Sequence, residues 1–189
     1  FLDREDRDIW ATPWPRLNDL LAGGLRRGQL TILGGWAAHG KSALALLLLD
    51  YLRRRYELRC ALYTNEMEAE ELDLRSVARE AEIPYWRLSQ GKLRDGEHER
   101  FVNAVKRLGS SYELIEAAGM TAQEIAQDIR REQWDVVVLD LLNGLPNSSE
   151  TRHIDENVKT LAACSRQAKC HIIATQHLNQ HRHAGHVYP

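Results

Sequence analysis

Residues Gln29 to Leu49, QLTILGGWAAHGKSALALLLL, constrain the fold of this chain more than any other stretch. Leu30-Thr31-Ile32-Leu33 suits a buried strand, a glycine-bearing turn runs from Gly34 to Ser42, and a long apolar helix follows. Gly35, Gly40, Lys41 and Ser42 fit the pattern G-x-x-x-x-G-K-S/T in the strand–turn–helix context the pattern requires. The glycines let successive backbone N–H groups point at phosphate oxygens. The helix that begins near Gly40 adds unpaired amides and a positive dipole end. Lys41 has the reach for the β- and γ-phosphates, and the Ser42 hydroxyl is a ligand for Mg²⁺. The expectation is a nucleoside triphosphate, ATP with Mg²⁺, held by the loop from Gly35 through Trp36, Ala37, Ala38, His39, Gly40, Lys41 and Ser42 to Ala43. Trp36 is bulky for such a turn; it covers the nucleotide, meets a neighbouring subunit or merely packs, and neither it nor His39 has an assignable catalytic task.

At 189 residues one domain is the natural expectation, and 43% hydrophobic residues are enough for a substantial core. A net charge of −2 with 28% charged residues does not advertise nucleic-acid binding, so any such contact comes from a local patch. The longest apolar run, Ala43 to Leu49, is far too short to span a membrane, and no secretory signal opens the chain. Cys60, Cys164 and Cys170 contain no C-x-x-C pair and suit free thiols in a reducing, cytoplasmic setting.

Phe1 to Pro15 reads as a linker or docking arm whose Trp10 and Trp14 pack on this domain or on a neighbour. Leu17, Leu20 and Leu21 mark a short helix stopped by Gly23-Gly24. The helix from Lys41 to Arg55 is apolar almost all round through Leu49, which predicts a position between a sheet and another layer. Arg53, Arg54 and Arg55 close it as a solvated, dipole-favoured end rather than a DNA patch. Strands are predicted at Arg59–Thr64, Tyr112–Glu116, Trp134–Asp140 and Cys170–Thr175, with helices at Ala69–Ala81, Tyr85–Leu88, Gly96–Leu108, Ala122–Glu132 and Ile154–Ala168. Thr121 with Glu124 three residues on forms a capping box for one of them. Asn143 to Thr151 is a loop, and Gln176 to Pro189 a polar tail whose His181, His183 and His186 show no closed metal-ligand spacing with Cys170 or His171. Five alternations of strand and helix predict an α/β fold, a parallel sheet with helices on both faces.

Three further candidates follow from position. Asp140 closes the apolar run Val136–Leu139, at the strand edge where such sheets bind ligands, and suits Mg²⁺. Glu66 closes the strand after the phosphate-loop helix and suits the orienting of an attacking water, or else serves as a helix N-terminal acid. Gln176 and His177 end the last strand, and either suits a hydrogen bond to the γ-phosphate.

Together these segments resemble the RecA-like motor domain of DnaB-type hexameric replicative helicases. The resemblance rests on Thr12–Leu30 leading into the phosphate loop, on Tyr63–Leu72, on Ser89–Leu93, on Val136–Leu142 as the Walker B strand, and on Thr175–Asn179 as the sensor motif. It places the catalytic glutamate on Glu66 and favours His177 over Gln176 as the sensor; DnaB-type proteins usually carry glutamine at that position and phage-type primase-helicases histidine. It implies a RecA-like P-loop NTPase core, with residues 1–14 as arm and 15–189 as motor. It further implies an ATP hydrolase and DNA helicase that assembles as a hexameric ring, translocates on single-stranded DNA at a replication fork, and meets a primase or helicase loader. The family's arginine finger and main DNA-binding loop lie beyond the sensor strand, and its N-terminal collar precedes the motor, so this segment alone is expected to show weak ATPase or none. The alternative is a recombinase-like or regulatory ATPase of the RecA superfamily, in which nucleotide controls assembly rather than unwinding.

Overall fold

The computed structural model describes residues 8–65, 68–109, 112–146 and 151–178. Its five main strands are β3 (Leu30–Gly35), β4 (Cys60–Thr64), β5 (Glu113–Glu116), β6 (Val136–Asp140) and β7 (His171–His177). All pair in parallel, in the spatial order β3-β7-β6-β4-β5. Period-two alternation sends their side chains to two faces. Ala61, Tyr63, Val137, Leu139, Ile172 and Ala174 pack with Ile125 and Ile129 of α6 (Ala122–Glu132) and with Leu161 and Cys164 of α7 (Thr151–Ala168). Cys60, Leu62, Val136, Val138 and Ile173 pack on the opposite face with Ala45, Leu48, Leu49 and Leu52 of α2 (Lys41–Tyr56). A sheet covered on both faces explains why β6 is apolar without interruption until Asp140.

Outside α2 lies α3 (Ala69–Ala81), followed by α4 (Tyr85–Ser89) and α5 (Glu97–Leu108). These three share a small core of Ala78, Ala81, Ile83, Leu88 and Ala104. Ionic contacts tie them to the phosphate-loop helix. Asp50, buried on α2, receives Arg54 at 2.9 Å and Arg79 at 3.1 Å, and Glu80 receives Arg54 at 3.0 Å and Arg107 at 2.8 Å. Thus α2 is sandwiched as its composition predicts.

Three features differ from expectation. The arm folds back: β1 (Ile9–Trp10) and β2 (Leu25–Arg26) make an antiparallel pair flanking α1 (Pro15–Leu20), and Trp10 is buried in the α2-side core. Helix α7 begins at Thr151, three residues before the predicted start. Strand β7 continues through Gln176 and His177, which pair with Gly34 and Gly35 at the mouth of the phosphate loop, so these two residues belong to the sheet and not to a tail. His171 is fully buried and spent on structure. Its Nδ1 lies 2.6 Å from the Arg26 carbonyl and its Nε2 3.0 Å from Thr31 Oγ1. His181, His183 and His186 lie outside the described residues. Among the described residues no three His, Cys, Asp or Glu side chains gather as metal ligands, and no helix is long and apolar enough to cross a membrane.

Candidate nucleotide site

Parallel pairing brings the C-terminal ends of β3, β4, β6 and β7 to one edge, where Thr64 lies opposite Asp140 and Gly35 opposite His177. The chain leaves β3 through a loop that needs left-handed backbone at Ala38 (φ 62°) and Gly40 (φ 77°), then enters α2 at Lys41. Glycine at the second position removes the Cβ penalty there. The loop turns its first helical amides toward a cavity of about 540 Å³. Ala38, Gly40, Lys41, Ser42 and Ala43 line one side, and Glu71, Arg75 and His177 complete it.

Lys41 is 8% exposed, and its Nζ donates to the Trp36 carbonyl at 2.8 Å, a contact a phosphate oxygen would replace. Ser42 Oγ donates to Asp140 Oδ1 at 3.0 Å, and Thr175 Oγ1 donates to the same oxygen from β7. Asp140 is thus a buried carboxylate satisfied by two hydroxyls. A hydroxyl beside a carboxylate offers hard oxygen donors, the ligand chemistry that suits Mg²⁺. His177 has its backbone N–H on Asn143 Oδ1 at 2.8 Å and is one of the residues that line the cavity.

Of the sequence candidates, Lys41, Ser42, Asp140 and His177 are therefore brought together. Gly35, Trp36, Ala37 and His39 shape the loop but are not among the cavity-lining residues. Trp36 is 52% exposed, and its ring meets the His39 ring edge-on at 5.4 Å. Gln176 sits opposite Gly34 and away from the cavity. Glu66 lies outside the described residues; β4 delivers its neighbour Asn65 to this edge, with Asn65 N–H on the Asp140 carbonyl at 2.9 Å.

A family model for the DnaB-like helicase C terminal domain matches residues 11–185, nearly the whole chain. The chain belongs to the DnaB-like helicase C-terminal domain family. It is 28% identical over 171 residues to the replicative DNA helicase DnaB of Synechocystis sp., covering 86% of this chain and 20% of that protein. Over 172 residues it is 24% identical to the replicative DNA helicase DnaC of Bacillus subtilis, covering 86% of this chain and 38% of the relative. The chain therefore spans a fifth to two-fifths of the length of these relatives. Among solved structures, the ATPase domain of G40P superposes with a TM-score of 0.82 at 18% identity, covering 95% of this chain and 68% of that one. A DnaB-like replicative helicase described with its primase interactions superposes with the same TM-score and identity, covering 95% of this chain and 46% of that one. These likenesses show the RecA-like ATPase fold.

In this DnaB-like domain, sequence reasoning missed Glu71 and Arg75. They form an ion pair at 2.7 Å, and Arg75 also lies over the Tyr85 ring at 5.4 Å. Four residues apart on a helix, they read as an ordinary solvated pair. Only the packing of α3 across from the phosphate loop brings them to the cavity. Thr175 and Asn65 lie in segments that carry the family resemblance, but neither they nor Asn143 were singled out, since nothing in their spacing distinguishes them from strand and turn residues.

Proposed function

We propose that this domain is the ATP-dependent motor of a replicative DNA helicase. The observation that carries the reading is the convergence of Lys41, the Ser42–Asp140 pair and His177 on one cavity of a DnaB-like helicase C-terminal domain. Lys41 and the first amides of α2 hold the β- and γ-phosphates of ATP. Ser42 and Asp140 would hold Mg²⁺, which supplies charge neutralisation between those phosphates. Glu66 accepts a proton from the water that attacks the γ-phosphorus, ADP departs as the P–O bond breaks, and His177 bears on the γ-phosphate and registers its loss. The work drives translocation on single-stranded DNA by a ring of subunits, six on the family pattern, with a primase or loader as partner and the cytoplasm as setting.

The test is ATP-dependent unwinding of a tailed DNA fork by the full-length protein, with Glu66→Gln as control. Unwinding by the native protein and its loss in Glu66→Gln, with ATP still bound, is the expected result. DNA-stimulated hydrolysis without unwinding would replace this reading with a recombinase-like or regulatory one. Unchanged turnover in Glu66→Gln would remove that residue from its role.

A further inference from the structure

Two asparagines knit the strand ends behind this cavity. Asn65 follows β4 and uses its side chain twice on the segment after Asp140: Nδ2 donates to the Leu141 carbonyl at 3.0 Å, and Oδ1 accepts from the Leu141 N–H at 2.8 Å. Only a side-chain amide offers donor and acceptor together in that geometry. The short turn Leu142–Gly144 then closes against the same amide, so tightly that a Cβ on Gly144 would stand 2.5 Å from Asn65 Oδ1. Asn143, within that turn, accepts the N–H of His177 at 2.8 Å. One residue further, the Leu178 N–H donates to the Gly35 carbonyl at 3.1 Å, where the phosphate loop begins. An unbroken line of bonds therefore runs from β4 through the turn after β6 to the end of β7 and the loop.

We propose that Asn143 and Asn65 are positioning residues that make the His177 end of β7 and the Asp140 end of β6 move as one unit. The inference rests on the proposed role of His177 and extends it. A shift of the His177 backbone on gain or loss of a γ-phosphate pulls on Asn143, and through the Asn65 clamp on Leu141, the neighbour of the Mg²⁺ ligand Asp140. The same carboxylate is reached from β7 by Thr175, so the two strand ends are joined by a second, direct contact. Asn143 touches no phosphate in this scheme; it acts through the backbone of His177.

The experiment is a double-mutant cycle on the full-length protein, reading DNA-stimulated kcat and, separately, the Kd for Mg-ATP. Asn143→Ala is expected to lower kcat about tenfold, the scale of one lost hydrogen bond, and to leave Kd within about threefold. In a His177→Ala background the same change is expected to cost nothing further, because the imidazole it positions is already gone. Unchanged kcat in Asn143→Ala, or effects that multiply in the double variant, overturn the proposal. Wild-type kcat in His177→Ala strikes the sensor reading itself, and this proposal with it. Gly144→Ala supplies an independent arm, since it crowds Asn65 without removing a polar group. It should reproduce the loss in kcat with Kd retained, and it carries the test if Asn143→Ala loses nucleotide affinity. A Gly144→Ala protein that turns over like the wild type overturns the proposal.

Discussion

Lys41 is the residue on which the proposed nucleotide site turns. Its amine is buried and held by one neutral carbonyl, that of Trp36, so it has a charge to offer and little to lose on exchanging that contact for phosphate. Lys41→Ala is expected to weaken Mg-ATP binding by about a hundredfold, from the loss of charged hydrogen bonds of about 1.5–3 kcal/mol each, as titration calorimetry would measure. Thr175 is subtler. Replacing it with valine keeps the shape but removes a hydroxyl from the buried Asp140 carboxylate. The expected result is about a tenfold loss in kcat/KM, with the deficit reduced at high Mg²⁺; a wild-type value at low Mg²⁺ would count against it. Loop and strand position in the sequence pointed Lys41, Ser42 and Asp140 to this edge of the sheet, whereas position left Gln176 and His177 as alternatives and only the family resemblance favoured His177. Thr175 and Arg75 were not legible, because their meaning comes from neighbours about 35 residues away or across a helix–helix contact, and such pairings leave no trace in local spacing.

Among the elements, α6 is the most fully specified by its own residues. The Glu124 N–H donates to Thr121 Oγ1 at 3.2 Å and the Thr121 N–H to Glu124 Oε2 at 2.7 Å, which is the predicted reciprocal cap. Thr121→Ala should cost about 1 kcal/mol in urea unfolding. The C-terminal ends are less well served, since Glu57 after α2 and Lys169 after α7 hold left-handed backbone at φ 55° and 52° without being glycine. Lys169→Gly is accordingly expected to stabilise the fold by about 0.5–1 kcal/mol, read by the same assay. Strand β7 brings a pH dependence. Burial pushes the pKa of His171 below its ordinary value, so in acid the unfolded chain binds a proton the folded chain resists. Stability is then complete above about pH 6.5 and falls as pH drops below it, a slope that His171→Gln should flatten. The main strands were readable as runs of β-branched and apolar residues. The β1–β2 pair was not, because two-residue strands separated by α1 carry no period to read. The sequence left Gln176 and His177 readable both as the end of the last strand and as the start of a tail for a related reason: they are polar, and what keeps them in the sheet is pairing with β3.

At the scale of the molecule, two apolar layers clasp the sheet while the α3–α5 group is joined to α2 through Leu72, buried in the same core as the α2 leucines, and through Asp50, Glu80 and their arginines. Part of this joint is ionic, so raising salt should loosen α3–α5 before the sheet, visible as earlier hydrogen exchange in those helices. The fold class and the edge that carries the site were legible because they follow from the number and order of strands. The seating of the outer helices was not, because it depends on the burial of Leu72 against α2 and on charge pairs between elements distant in the chain.

The three thiols lend themselves to a different use. Cys60, Cys164 and Cys170 are all buried, and burial pushes the first and last up to about 12. In the native protein they are thiols rather than thiolates, hidden from any reagent that needs sulfur as a nucleophile. A chromogenic disulfide should find no fast-reacting sulfur until denaturant releases all three. A cysteine placed at the exposed Leu20 would then take a fluorophore selectively, with no native cysteine removed, and the domain could be followed one molecule at a time.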